Sequence, residues 1–269
     1  MKLSVFYHHI MEASQQTGRP VHEILSEVKG LGIDYVEVDL GDISDSDSVF
    51  FALERTDMKI SSIYGFYDFT QSPDGSAGFR HVDLAAEYGA EKIMIIPGFY
   101  TSNDEDIHHK ERENMILATQ TVCRYAESRN IIPTIEDFDD SKSPIADADG
   151  MLRFLESIPQ LKVTFDTGNF MYSGQDEMHA FELLKDKICH VHCKDRSLYS
   201  ETGLEKKLTV DGKAMYPSPV GEGCIRIKEI VTELNKLDYD GIFTIEHFGA
   251  EDQLKYIRRS AEMLKGWLK

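Results

Sequence analysis

The chain has 269 residues, 41% hydrophobic and 28% charged, a balance that supports a sizeable buried core and argues against disorder. Its formal net charge of −18, with no extended basic patch, argues against nucleic acid and anionic lipid as partners. No stretch approaches the roughly 18 apolar residues of a membrane span, the apolar run in the opening MKLSVFYHHIMEAS is too short for a signal-peptide core, and the four cysteines form no disulfide framework, which together read as a cytoplasmic protein with reduced thiols.

From the amino terminus onward, short β-branched or apolar runs alternate with amphipathic stretches. The strand candidates in chain order are LSVFY (3–7), YVEVD (35–39), KISSIYG (59–65), KIMIIP (92–97), IIPTIE (131–136), KVTFD (162–166), ICHVHCK (188–194) and GIFTIEH (241–247). Helices are predicted after each, among them 21–30, 106–129, 146–158 and 252–268. In the second of these, Met115, Ala118, Val122, Tyr125 and Ala126 recur at the spacing of a helix lying on a sheet. Asp147 or Asp149 is the candidate cap for the helix over MLRFLESI, and Pro159 falls just past its end. Eight βα units without a break in composition predict an α/β fold, a closed (β/α)8 TIM barrel, as one domain over 1–269. No Gly-rich dinucleotide or phosphate loop appears, so no nucleotide cofactor is expected. Two connections stand out. DLGDISDSDSVF (39–50) reads as an acidic helix start, and 197–224, with six Gly or Pro, is long enough to be functional.

Four strands end in residues that bind metals: TIE at Glu136, TFD at Asp166, HVH at His192 and TIE at Glu246. In a (β/α)8 barrel the carboxyl ends of the strands face one shared site, so these four ends converge. Two Glu, one Asp and one His form a hard, mostly oxygen donor set suited to one divalent ion, Mn²⁺, Mg²⁺, Co²⁺ or Zn²⁺. Three carboxylates at close range repel one another, and a cation among them resolves the conflict. Two residues before each ligand stand Thr134, Thr164, His190 and Thr244, which share the ligands' strand face and predict a polar layer supporting them.

Other residues carry weaker signals. Glu37, flanked by Tyr35 and Asp39, is expected to point into the barrel and touch substrate. Tyr7, His8, Tyr64 and Phe66 end strands one and three and offer either a wall for a sugar face or core packing, with Tyr7 and Tyr64 carried as substrate contacts. Arg196 offers its charge to a substrate hydroxyl or carboxylate, or to a surface salt bridge. Cys189 and Cys193 flank the histidines on the opposite strand face and read as packing rather than zinc ligands.

The order of IED (135–137), DTGN (166–169), HVHCKD (190–195), GEG (221–223) and GIFTIEHF (241–248) on successive strands resembles, over the whole chain, the xylose isomerase-like family of (β/α)8 barrels. That family includes sugar isomerases, sugar epimerases such as the tagatose epimerases, inosose dehydratases and endonuclease IV. The resemblance implies Glu136, Asp166, His192 and Glu246 as metal ligands, with Glu136 and Glu246 also serving as the acid/base pair. It also implies a small-molecule carbohydrate substrate, and Asn169 is carried as a candidate contact to it. Endonuclease IV carries further His and Asp ligands for a three-metal cluster. Here Asn169 follows DTG where that enzyme has His, and VDGKAM offers Asp211 and Lys213 in place of an Asp-x-His pair. Lysine does not replace a metal ligand, so the nuclease branch is set aside.

The leading expectation is an isomerase or epimerase of a small keto sugar or related polyol, in which one glutamate removes a proton beside the carbonyl, the metal stabilises the enediolate, and the other glutamate returns the proton. Alternatives are a dehydratase of the inosose or dehydroshikimate type, which shares the first step, and a sugar-binding barrel without turnover, against which the presence of both glutamates argues. The sequence leaves the oligomeric state open, a homo-oligomer included.

Overall fold

In the computed structural model, which describes residues 2–44, 47–200 and 206–267, all eight predicted strands form. They are β1 (Lys2–Phe6), β2 (Tyr35–Asp39), β3 (Lys59–Phe66), β4 (Lys92–Ile96), β5 (Ile132–Glu136), β6 (Lys162–Asp166), β7 (Ile188–Lys194) and, after three short strands described below, β11 (Ile242–Glu246). All are parallel and close into a barrel in the order β1-β11-β7-β6-β5-β4-β3-β2. Each strand is buried on both faces, so the period-two alternation separates two kinds of interior. The outward set, including Val36, Val38, Ile93, Ile95, Ile135, Val163, Phe165, Val191 and Ile245, is buried with the apolar helix faces. The inward set on β5, β6, β7 and β11 is polar and equally buried: Thr134, Glu136, Thr164, Asp166, His190, His192, Thr244 and Glu246.

The predicted helices appear as Val21–Gly30, Glu105–Ser128, Ala148–Ser157 and Gln253–Trp267, within a few residues of their expected ends. Asp147, rather than Asp149, is the cap, accepting the Gly150 N–H at 2.7 Å. Met115, Ala118, Val122 and Ala126 are fully buried, whereas Tyr125 is half-buried at the edge and donates its hydroxyl to Asp83. The acidic connection after β2 forms helices Leu40–Ser44 and Ser48–Thr56, and 45–46 lie outside the described residues. The first strand ends one residue early, because Tyr7 already opens the helix Tyr7–Thr17.

The long connection after β7 leaves 201–205 outside the described residues. Its described parts include β8 (Arg196–Ser197), β9 (Lys207–Leu208) and β10 (Ala214–Pro217), an antiparallel sheet in the order β8-β10-β9. Asp195 anchors the end of this connection. Its buried carboxylate accepts backbone N–H groups from Arg196 (2.8 Å), Gly221 (2.8 Å), Gly223 (3.0 Å) and Ile225 (3.2 Å), and the Cys224 N–H bonds the Arg196 carbonyl at 2.8 Å. The GEG motif follows from this packing: Gly221 has φ +84°, and a Cβ at Gly223 would lie 2.1 Å from Asp195 Oδ1. Hydrogen bonds to a charged acceptor contribute about 1.5–3 kcal/mol each, so Asp195→Ala is expected to destabilise the protein by roughly 2–4 kcal/mol and open 218–225 to protease. Thermal melting with mapped limited proteolysis checks this, and an unchanged melt and cleavage pattern would show that Asp195 is not the anchor.

Candidate metal centre and substrate cavity

Barrel closure brings Glu136, Asp166, His192 and Glu246 together, with one potential ligand atom from each lying within 4.8 Å of all the others. His192 Nδ1 contacts Glu136 Oε1 and lies 3.3 Å from Glu246 Oε2. Asp166 Oδ1 accepts the N–H groups of Gly168 (2.7 Å) and Asn169 (2.8 Å), whereas Asp166 Oδ2 is buried with no hydrogen-bond partner. An orphaned carboxylate oxygen beside two more carboxylates and an imidazole is the environment a hard divalent cation satisfies, so the donor set fits one.

The layer beneath these candidate ligands orients His192. Glu37 Oε2 meets His192 Nε2 at 2.9 Å, His190 Nε2 at 2.9 Å and the Thr244 hydroxyl at 3.2 Å. If His192 gives its Nε2–H to Glu37, its Nδ1, which here contacts Glu136, would be free to turn a lone pair toward a cation once one displaces the proton, the arrangement by which a carboxylate orients a metal-binding histidine. The Phe6 ring packs edge-on against the same imidazole, centroids 4.9 Å apart. Thr134 and Thr164 bond each other at 2.8 Å rather than the ligands above them.

Lys194 is a site residue that strand-end chemistry does not single out. Its ammonium lies 2.7 Å from Glu246 Oε1 and 2.7 Å from Asn169 Oδ1, and 3.6 Å from Asp139 Oδ2. The signal that points to it is the period-two column His190, His192, Lys194. Register makes the pair, since Glu246 is the cross-strand partner of Lys194 while His192 pairs with Thr244. The DTGN turn clasps the same residue: Thr167 exchanges hydrogen bonds with the Lys194 backbone, and a Cβ at Gly168 would lie 2.5 Å from the Lys194 carbonyl.

Above the ligands opens a cavity of about 640 Å³, within the usual range for small-molecule sites. One side is apolar and aromatic: Phe6, Tyr64, Met94, Ile96, Phe138 and Phe248. The polar lining includes Lys194, Arg196, Lys206 and Lys207 with Asp139 and Asn169. Tyr64, Asn169 and Arg196 therefore line the cavity, as do His8 and Phe66. Two expected substrate contacts lie elsewhere. Glu37 sits at the middle of β2, fully buried under the ligands, and its role is to hold the histidines. Tyr7 leaves the strand for the following helix and packs in the apolar core, so Phe6 takes the wall position. Asp211 and Lys213 pair with each other at 2.8 Å outside the cavity.

Electrostatics in the cluster is strongly coupled. Burial, reinforced by Glu246 and Glu136, holds the Asp166 carboxyl well above the usual range, and burial together with the Glu246 charge raises Glu136. Burial would lower His192, but Glu37 and Glu136 reverse that and hold its imidazole well above the ordinary value. Burial also raises Glu246, yet Lys194 and His192 outweigh it and keep that carboxyl well below. Groups with raised pKa retain protons that a cation must displace, so cation affinity is expected to rise with pH as those protons leave. Calorimetric titration with Mn²⁺ at about pH 6 and pH 8, in buffers of different ionisation enthalpy, should show tighter binding at the higher pH and proton release; pH-independent affinity would contradict this. Glu37→Gln should weaken Mn²⁺ binding by about 10–100-fold.

Comparison with known proteins agrees with this architecture. Residues 25–267 match the xylose isomerase-like TIM barrel family. Inosose dehydratase from Geobacillus thermodenitrificans is 31% identical over 99 residues, 35% of this chain and 33% of the dehydratase. The chain spans less than two thirds of the length of the curated relatives it matches. Among solved structures, D-allulose 3-epimerase from Methylomonas sp. in complex with D-allulose superposes with a TM-score of 0.74 at 14% identity, covering 99% of this chain and 96% of that one. A probable 3-DHS dehydratase from Bacillus anthracis superposes with a TM-score of 0.72 at 17% identity, covering 98% and 99%. These likenesses concern the fold. With the family match extending over nearly all of a closed eight-stranded parallel barrel, the chain belongs to the xylose isomerase-like TIM barrel family.

Proposed function

We propose that this protein is a divalent-metal-dependent isomerase or epimerase of a small keto sugar or related polyol. The observation that carries the reading is that Glu136 and Glu246, on strands separated in the barrel by β6 and β7, both contact His192 and both line the same cavity. A substrate carbon seated between them has a carboxylate on each side, one to remove its proton and one to return it. A divalent cation held by Glu136, Asp166, His192 and Glu246 would supply the positive charge that a carbonyl oxygen needs while the neighbouring carbon is deprotonated. The aromatic side of the cavity suits the C–H face of a polyol, and Asn169 and Lys194 offer hydrogen bonds to its hydroxyls.

Lys194 favours a second reading, dehydration. An ammonium 2.7 Å from Glu246 is positioned to give a proton to a departing hydroxyl after the same first deprotonation. The inosose dehydratase alignment and the likeness to the Bacillus anthracis dehydratase support keeping it.

A panel of keto sugars and cyclic keto polyols incubated with Mn²⁺-loaded protein in deuterated water separates the readings. Isomerisation or epimerisation gives a product of unchanged mass apart from deuterium at the carbon beside the carbonyl, whereas dehydration gives a product lighter by one water. Complete retention of the original hydrogen would contradict a two-glutamate proton shuttle that exchanges with solvent. Glu136→Gln and Glu246→Gln are each expected to lower turnover by about 10²- to 10⁴-fold with the fold intact by circular dichroism, and near-normal turnover in either variant removes that residue from the pair.

A further inference from the structure

We propose that the substrate carries an anionic group, a carboxylate or a phosphate, and that Arg196 receives it. The inference deepens, and rests on, the reading that the cavity takes a small polyhydroxy carbonyl compound. Arg196 lines the cavity yet is only 5% exposed. Its Nε has no hydrogen-bond acceptor, and among the described residues no carboxylate forms an ion pair with the guanidinium. The one acceptor its side chain reaches there is the Phe248 carbonyl, 3.5 Å from Nη1 at the limit of a hydrogen bond.

The neighbouring charges are already committed. Lys194 is taken by Glu246, and Asp139 by Lys207 at 2.6 Å with Lys194 behind it. Asp39, which also lines the cavity, accepts the Gly41 N–H at 2.6 Å and forms no ion pair with Arg196. In a chain of net charge −18, Lys194, Arg196, Lys206 and Lys207 all line one cavity, and Arg196 is a buried member with no ion-paired carboxylate among the described residues. With a neutral sugar the guanidinium would have only the longer-range attraction of Asp139, and no ion-paired carboxylate among the described residues. Two oxygens of a carboxylate or a phosphate match its fork of donors.

The guanidinium is also held in place. Its backbone N–H is on Asp195, its carbonyl accepts from Cys224, and its side chain lies 5.9 Å from the Tyr172 ring centroid. The Asp195 anchor thus fixes a binding group as well as a connection. Arg196 acts here on substrate charge, away from the carboxylates assigned to proton transfer.

The test is calorimetric binding to the Mg²⁺-supplemented protein of two matched pairs, D-fructose with D-fructose 6-phosphate and D-galactose with D-galacturonate, together with inorganic phosphate. At least one anionic probe should bind about 10-fold or more tightly than its neutral partner, and the pair in which this occurs distinguishes phosphate from carboxylate. Arg196→Gln should erase that preference while leaving neutral-sugar affinity within about twofold, and Arg196→Lys should retain part of it. Melting curves establish that the variants are folded, and the preference of the unmodified protein tests the proposal without any variant. Equal binding of charged and neutral partners, equal weakening of both by Arg196→Gln, or absence of Arg196-dependent binding for every anion including phosphate would overturn it. Proton exchange in deuterated water reads the underlying function separately: an Arg196-dependent charge preference without exchange leaves the anion site standing and removes the proposed reaction.

Discussion

Buried negative charge is the constraint around which this molecule is organised. Glu37, Glu136, Asp137, Asp166 and Glu246 are all nearly or fully buried, and closure of the barrel brings several within reach of one imidazole. Isolated carboxylates in such a place would simply take up protons, and burial drives Asp137 and Asp166 well above their ordinary range. The protein answers with positive charge and with donors. His192 stands between Glu37 and the cluster, Lys194 neutralises Glu246, and the DTGN turn places two N–H groups on Asp166. Asp166 Oδ2 is left without a hydrogen bond, with the Lys194 ammonium 3.9 Å away, and that remaining deficit is where further positive charge would fit.

The rest of the architecture serves this arrangement unequally. Strands β5, β6, β7 and β11 contribute the candidate ligands and the polar layer beneath them, while β1, β3 and β4 bring Phe6, Tyr64, Met94 and Ile96 to the cavity. Excluding water on that side lowers the local dielectric and strengthens every charge interaction on the other. The connection after β7 is pinned by Asp195 and completes the cationic wall with Lys206 and Lys207, so cavity chemistry depends on a loop as much as on strand ends. Within a shared fold, such loop-borne groups are where substrates are told apart.

Much of this arrangement is legible in the order of residues alone. The eight strands, the principal helices and the four convergent ligand-type ends follow from periodicity and from residue type, because the side-chain alternation of a strand is local and a closed barrel sends every strand end to one place. The polar column below the ligands is equally visible at Thr134, Thr164, His190 and Thr244. Alternation turns Glu37 inward, as the structure has it, but does not give its height, so a substrate contact is expected where a support for the histidines is found. An aromatic residue such as Tyr7 suits a strand end, whereas the chain turns into a helix one residue sooner and carries it into the core.

Local sequence is enough to specify the strand and helix pattern, the inward and outward faces, the kinds of atom available at the carboxyl ends and the glycines that close approach would require. Which of those atoms meet is settled only when the strands pair. The register shift at Val163/Thr164 sets Asp166 opposite His192, the shift at Val36/Glu37 sets Glu37 opposite Ser62, and the β7–β11 register pairs Glu246 with Lys194. Contacts such as Glu37 with His192, or the absence of a described carboxylate partner for Arg196, join or separate residues far apart in the chain. Their geometry comes from strand pairing and barrel closure, which no local period encodes.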